Sequence, residues 1–154
     1  DRPVIAAALK RAEATGAPAA AIELPDGSIM TGKTSPLLGA SAALLLNALK
    51  ALGGLPHDLH LIAPTVIEPI QHLKTRILGN HNPRLHTDEI LIALTICAAT
   101  NPAAKIALNQ LTKLRGTEAH SSVILSPVDS DVFRKLGINL TCEPNYQSKK
   151  LYHK

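Results

Sequence analysis

The sequence Thr31-Gly32-Lys33-Thr34-Ser35-Pro36 runs directly into the apolar stretch from Leu37 to Leu46, and this junction decides the fold. The apolar stretch is hydrophobic on every side, so the pattern predicts a helix that lies inside the molecule. Ser35 is a natural N-cap, and Pro36 suits the first helical position because its missing N–H would be unpaired there anyway. The sequence therefore predicts a buried helix from Pro36 to about Leu52.

The residues just ahead of this helix form the first candidate site. A helix start presents unpaired N–H donors and the positive end of the helix dipole, which together attract anions. A lysine beside it would add an ammonium group. The predicted ligand-binding residues here are Gly32, Lys33, Thr34 and Ser35.

Residues 27–34 also match the P-loop expression letter for letter. We interpret the match as accidental, because Gly27 fits the tip of a hairpin after Pro25-Asp26. If residues 28–31 form the return strand, Gly27 and Gly32 lie about 16 Å apart, at roughly 3.3 Å per residue. No single phosphate is cradled across that distance.

The composition excludes several classes of function. At 154 residues the chain has the length of one domain. Aromatic residues make up 2% and tryptophan is absent, so the chain offers no platform for base stacking and we expect no nucleic-acid partner. No apolar run has membrane length, so we expect no membrane partner either. Two cysteines without a disulfide framework fit the cytoplasm, and the start at Asp1 favours a fragment of a longer protein.

Local patterns predict a regular alternation of helices and strands. In order, they predict a helix (3–15), a hairpin (19–24 and 28–31), the buried helix, an apolar strand (59–63), a helix (65–78), a polar loop, a helix pair (87–99 and 102–114), a strand (119–125), a short helix from 127 and a last strand (138–142). This order predicts an α/β fold, a three-layer sandwich with a mixed sheet. We expect a single domain over 1–154, in which 79–115 is an inserted polar loop plus helix pair.

The long polar segment from Gly79 to Glu89 is the second candidate site. His81 and His86 could act as acid and base, or hold an anionic substrate beside Arg84. The other residues predicted to bind a ligand here are Asn80, Asn82, Asp88 and Glu89. The structural alternative is that Thr87 caps the next helix and the two carboxylates favour its positive end. The two histidines have no obvious third ligand in sequence, so no metal site is predicted.

A weaker catalytic candidate lies on the predicted strand at 119–125. Alternation places Glu118, His120 and Ser122 on one face, where they could orient one another. This spacing alone does not establish a Ser–His–acid triad, so we name only Glu118 and His120 as candidate catalytic residues.

The element order resembles the cytidine-deaminase fold. In that family the first buried helix opens with His-x-Glu and the next with Pro-Cys-x-x-Cys, and these residues hold zinc. Here the two helices open with Thr34-Ser35-Pro36-Leu37 and Pro64-Thr65-Val66-Ile67-Glu68. We therefore expect deaminase-like topology without zinc chemistry.

Four stretches together resemble the bacterial family designated domain of unknown function 1846: residues 31–41, 60–64, 78–89 and 140–144. The resemblance runs from about Pro18 to Lys154 and corresponds to the C-terminal region of considerably longer proteins. It implies the deaminase-like topology but no catalytic residue and no cofactor. Some members are labelled ATP-dependent peptidases, and no P-loop, zincin helix or nucleophile elbow in this chain supports that label.

Two hypotheses of different classes follow. In the first, the 31–36 helix start and the 79–89 loop face one cleft that binds an anionic or nucleotide-like small molecule, and this cleft could be part of an enzyme active site. In the second, the domain is structural and docks on the N-terminal region of a longer protein or on a second copy of itself.

Overall fold

Four short strands form one mixed sheet in the computed structural model, which describes residues 2–146. The strands are β1 (Ala19–Glu23), β2 (Ile29–Lys33), β3 (Glu118–Ser121) and β4 (Asn139–Cys142), and their spatial order is β2-β1-β3-β4. β1 pairs antiparallel with both β2 and β3, whereas β3 and β4 are parallel. The predicted α/β class with a mixed sheet is confirmed, and the deaminase-like topology stays a prediction.

Helices cover both faces of this sheet. They are α1 (Pro3–Thr15), α2 (Ala40–Leu52), α3 (Pro64–His72), α4 (Thr87–Cys97), α5 (Pro102–Leu108) and α6 (Pro127–Lys135). A π-helical turn, Leu73–Ile77, continues α3, and a 3-10 turn, Leu111–Leu114, follows α5. Val4 and Ala8 of α1 pack on Ala21 at one face, while Ala20 and Ile22 join the main core with α2 at the other. None of these helices has the length and apolar character needed to cross a bilayer.

The buried helix is present, but it begins at Ala40 and not at Pro36. Ser35 caps a turn and not the helix, because its Oγ accepts from the N–H groups of Leu37 (3.3 Å) and Leu38 (3.2 Å). The chain then pairs with Leu85. The Leu85 carbonyl accepts from the Gly39 N–H (3.2 Å), and the Leu85 N–H donates to the Leu37 carbonyl (3.0 Å). This extended pairing delays the helix by one turn.

The apolar run from Leu59 to Ala63 was predicted to be a strand, and that prediction is wrong. It forms bends outside the sheet, although Leu61 and Ile62 are buried. The ammonium of Lys50, a buried residue on α2, donates to the carbonyls of His57 (2.5 Å) and Leu59 (3.2 Å). These carbonyls therefore bond to a helix side chain and not to a neighbouring strand.

Lys50 should make the stability of the fold depend on pH. Burial lowers the pKa of its ammonium below the usual 10.5. The unfolded chain then holds this proton more tightly than the folded chain, so stability rises with pH between the lowered pKa and 10.5. We expect the free energy of unfolding of the native chain to rise relative to that of Lys50→Met as the pH goes from neutral to about 10, measured by urea denaturation. Parallel pH profiles for the two proteins would contradict this role.

The strand predicted over 119–125 is shorter in the structure, because β3 ends at Ser121 and Val123 and Leu125 lie beyond it. The Ser121 Oγ donates to the Val123 carbonyl (2.7 Å) and accepts from its N–H (3.3 Å), which turns the chain out of the sheet. This turn leads residues 124–127 towards the starts of α2 and α4.

Candidate functional site

The two predicted binding segments lie side by side, although they are about fifty positions apart in sequence. Arg84 Nε donates to the Ser35 carbonyl at 2.6 Å. Leu38 and Leu85 form an isolated parallel bridge in the same place. The polar loop therefore lies against the segment that leads into α2.

The residues at the end of β2 do not surround the N-cap of α2. Gly32 is buried against the side of the first turns of that helix, between the backbones of Ala40 and Leu44, and Lys33 is exposed at the end of the strand. Thr34 is buried, and its N–H donates to the Pro18 carbonyl at 2.9 Å. The N-cap of α2 is Gly39, so the residues at the true helix start are 39–41.

A cavity of about 500 Å³ opens where three helices begin. The N-caps of α2, α4 and α6 all line it: Gly39, His86 and Ser126. Within residues 2–146 the lining is Gly39, Ala40, Ser41, Asn82, His86, Ile124, Leu125, Ser126, Pro127, Asp129 and Tyr146. The N–H groups of Thr87 and Asp129 are already paired, with Asp129 Oδ1 and Ser126 Oγ. Each helix start still carries partial positive charge, and these three charges suit the cavity to an anion.

Ser41 supplies an unused hydroxyl in the wall of this cavity. The residue is only 2% exposed, yet within residues 2–146 its hydroxyl has no hydrogen-bond partner. Unlike Arg2 Nε and Gln110 Oε1, which are the fully buried side-chain atoms without a partner within these residues, the Ser41 oxygen is accessible from the cavity. A polar group of a ligand in the cavity could satisfy it.

Two residues of the polar loop also line the cavity, Asn82 and His86. The Asn82 Oδ1 accepts from the Arg84 N–H at 3.0 Å, which fixes the asparagine side chain. Its Nδ2 lies 3.5 Å from Nε2 of His86, whose side chain is 32% exposed. An amide donor and an imidazole are thus placed together at the cavity wall.

A partly buried ion pair holds the loop in place on the side away from the cavity. The ammonium of Lys74 donates to Glu89 Oε1 and to the Arg84 carbonyl, both at 2.7 Å. Glu89 Oε1 also accepts from the His86 N–H at 2.8 Å. Glu89 therefore holds the start of α4 in place.

The start of α4 differs from its prediction, because its N-cap is His86 and Thr87 is the first helical residue. Thr87 is fully buried, and its N–H (3.0 Å) and hydroxyl (2.7 Å) both donate to Asp129 Oδ1. Asp129 belongs to α6, so one carboxylate ties two of the three helix starts together.

Comparison of the sequence with known families relates it to a group of bacterial proteins. A family model described as "Domain of unknown function DUF1846, C-terminal" matches residues 1–152. The chain belongs to this family. UPF0371 proteins of Corynebacterium glutamicum and Corynebacterium efficiens are 56% and 57% identical to this DUF1846 domain over 154 residues, and one from Streptococcus pyogenes is 53% identical.

In each case the alignment covers 100% of this chain and 31% of the relative. The chain thus spans about a third of the length of the curated relatives it matches. The resemblance seen in the four sequence stretches is confirmed.

The remaining residues predicted in the polar loop of the DUF1846 domain lie outside the cavity lining. Asn80 and His81 are exposed. The Asp88 Oδ1 accepts from the Glu89 N–H at 2.8 Å. The Arg84 side chain donates its hydrogen bond to the Ser35 carbonyl and so joins the loop to that segment. The structure thus brings Asn82 and His86 to the cavity and uses their neighbours to shape the loop.

One group among the described residues has the donor types of a metal site. Donor atoms of His86, Asp88 and Glu89 lie within 4.8 Å of one another. The ammonium of Lys74, 2.7 Å from Glu89 Oε1, would repel a cation bound there. The electrostatics therefore disfavour a metal at this position.

The candidates on β3 lie on the other face of the sheet. His120 pairs with Ala21, which packs against α1. Helix α2, whose start lines the cavity, packs on the opposite face of the sheet in the same core as Ala119. His120 contacts Glu143 (Nε2 to Oε2, 2.8 Å) and Thr141 (Nδ1 to Oγ1, 2.6 Å). Glu118 and Ser122 have other partners than His120. Glu118 pairs with Arg2 at 2.7 Å, and the Ser122 Oγ accepts from the Ala19 N–H at 3.0 Å.

Proposed function

We propose that the DUF1846 domain binds a small molecule with an anionic group, such as a phosphate ester, in the cavity where α2, α4 and α6 begin. The observation that carries this proposal is the Ser41 hydroxyl at the start of α2, which lines the cavity and has no hydrogen-bond partner within residues 2–146. Three helix starts around one cavity supply the favourable potential, and the hydroxyl supplies a donor for a ligand oxygen.

The rest of the lining supports a ligand that carries more than its anionic group. Asp129 contributes a carboxylate to the wall, and a carboxylate accepts from the hydroxyl or amino groups that sugars and nucleosides carry. Tyr146, which is 85% exposed, is the aromatic residue that the described part of the chain contributes to the cavity lining, and it can stack on a planar ring. These features favour a nucleotide-like ligand.

His86 is the residue that could exchange a proton with the bound molecule. It is the histidine that the described residues contribute to the cavity lining, its backbone N–H donates to Glu89, and its imidazole Nδ1 lies 3.8 Å from Glu89 Oε1. An imidazole so placed can act as donor or acceptor to a ligand oxygen. If the cavity is an active site, we propose His86 as its acid or base.

We expect Ser41→Ala to weaken ligand binding and to leave the stability of the protein unchanged. Loss of the hydroxyl should weaken the binding of AMP or inorganic phosphate about ten- to a hundredfold, because a hydrogen bond to a charged group contributes about 1.5–3 kcal/mol. The melting temperature without ligand should hardly change, since the hydroxyl has no partner in the protein to lose. Thermal shift and isothermal titration measure the two quantities.

Lys33→Ala is the matched control for this experiment. Lys33 is exposed and lies outside the cavity lining, so its removal should leave AMP and phosphate binding unchanged. The opposite pattern, with binding lost in Lys33→Ala and kept in Ser41→Ala, would move the site to the end of β2. Absence of any thermal shift with either probe would contradict the choice of ligand class.

A further inference from the structure

Helix α4 is apolar on both of its sides, but the described residues cover only one of them. Ile90, Ala93 and Leu94 are buried in the core, whereas Ile92 and Ile96 are 63% and 68% exposed. No charged residue occurs between positions 90 and 97. A helix that is hydrophobic all round is normally buried all round, so its sequence indicates a second partner surface.

The exposed side of α4 forms a groove with α3. This groove has a volume of about 280 Å³ and is lined by Val66, Ile70, Glu89, Ile92, Ala93 and Ile96. The apolar residues of α3 continue into the π turn, where Leu73 is 45% exposed and Ile77 is 66% exposed. We call the side chains of Val66, Ile70, Leu73, Ile77, Ile92 and Ile96 the apolar surface.

The apolar surface is unusual for a free face of a domain. With the neighbouring Leu78, it holds five of the ten large hydrophobic side chains that are exposed within residues 2–146. Scattered single hydrophobic residues need no explanation, but a contiguous patch with a groove is typical of an interaction site.

The length of the relatives points to the partner. They match this chain over 31% of their own length, and the matching family model describes a C-terminal domain. A region of about two thirds of their length therefore precedes the matched part. Because that region is joined covalently to the domain, its effective concentration at the apolar surface reaches about the millimolar range, far above that of a separate partner.

We infer that the apolar surface is the contact through which this domain packs against the N-terminal region of the full-length family proteins. The groove between α3 and α4 would take apolar side chains of that region, and Glu89 marks the end of the groove nearest the polar loop. This interface is independent of the ligand proposed for the cavity.

Photo-crosslinking in the full-length Corynebacterium glutamicum relative tests the inference. A benzophenone amino acid is placed at the positions aligned with Ile92 and Ile96 and, as a control, at the position aligned with Leu9. Leu9 is 40% exposed on α1, on the opposite face of the sheet. We expect several-fold more crosslinks to the N-terminal region of the same polypeptide from the two α4 positions than from the control, located by mass spectrometry.

Mixing copies labelled with light and heavy nitrogen separates the alternatives. Crosslinks within one isotope label support packing inside one polypeptide. Crosslinks between labels would assign the surface to contact between two copies and overturn the inference. Equal yields from the α4 positions and the control would overturn it as well.

Discussion

Gly32→Ser should lower the free energy of unfolding by about 3 kcal/mol or more, because it places a side chain where two backbones touch. A Cβ at this position would lie 2.3 Å from N and 2.7 Å from Cα of Leu44, and 2.9 Å from the Ala40 carbonyl oxygen. All three atoms belong to the backbone of α2, so no side-chain rotation relieves the clash. The helix or the strand β2 must shift instead.

Gly39→Ser makes the same change in open space and serves as the control. The nearest atom to a Cβ there is the Leu85 carbonyl oxygen at 3.9 Å, and the backbone φ of −69° is open to any residue. Serine is also a preferred N-cap, so stability should hold or rise slightly. The free energies of unfolding of Gly32→Ser and Gly39→Ser are measured by urea denaturation. Similar urea midpoints for the two variants would show that β2 does not pack closely on α2.

Asp129→Ala should be the second most damaging change, with a loss of about 3 kcal/mol. It removes the acceptor of both the N–H and the hydroxyl of Thr87, which are buried with no access to water. Each buried donor left unpaired costs about 1–3 kcal/mol. Because this carboxylate joins α4 to α6, hydrogen exchange should also accelerate at the start of α4.

Two variants separate this role from a general effect of charge. Asp129→Asn keeps an oxygen acceptor and should recover part of the stability. Asp131→Ala removes a carboxylate from the same helix whose partners, Arg134 and Lys135, lie on the surface, so it should change little. If Asp131→Ala were as damaging as Asp129→Ala, the link between Thr87 and Asp129 would not be the cause.

The sequence predicted the elements whose causes are local. Gly16 ends α1 in a left-handed conformation, and the turn at Pro25-Asp26-Gly27 joins β1 to β2, as their patterns indicate. The two main errors come from hydrogen bonds that periodicity does not reveal, one set to a residue more than forty positions away and the other to a side chain seven and nine positions away. Leu85 delays the start of α2, and Lys50 holds the carbonyls of the apolar run that was predicted to be a strand.

The same distinction applies to the cavity. Asn82 and His86 stood out in sequence because polar residues are concentrated in their loop. Ser41 and Asp129 did not, since one lies within an apolar helix and the other follows an ordinary helix start. The short helix predicted from 127 is α6, but no local signal shows that three helix starts meet.

An NMR titration of the ¹⁵N-labelled chain with inorganic phosphate and then with AMP tests the cavity most directly. The account predicts that the largest amide shifts occur together at residues 39–41, at His86 and around Ser126, where the three helices begin. Shifts centred on Lys33, or none within residues 2–146 at saturating concentrations of both probes, would contradict it.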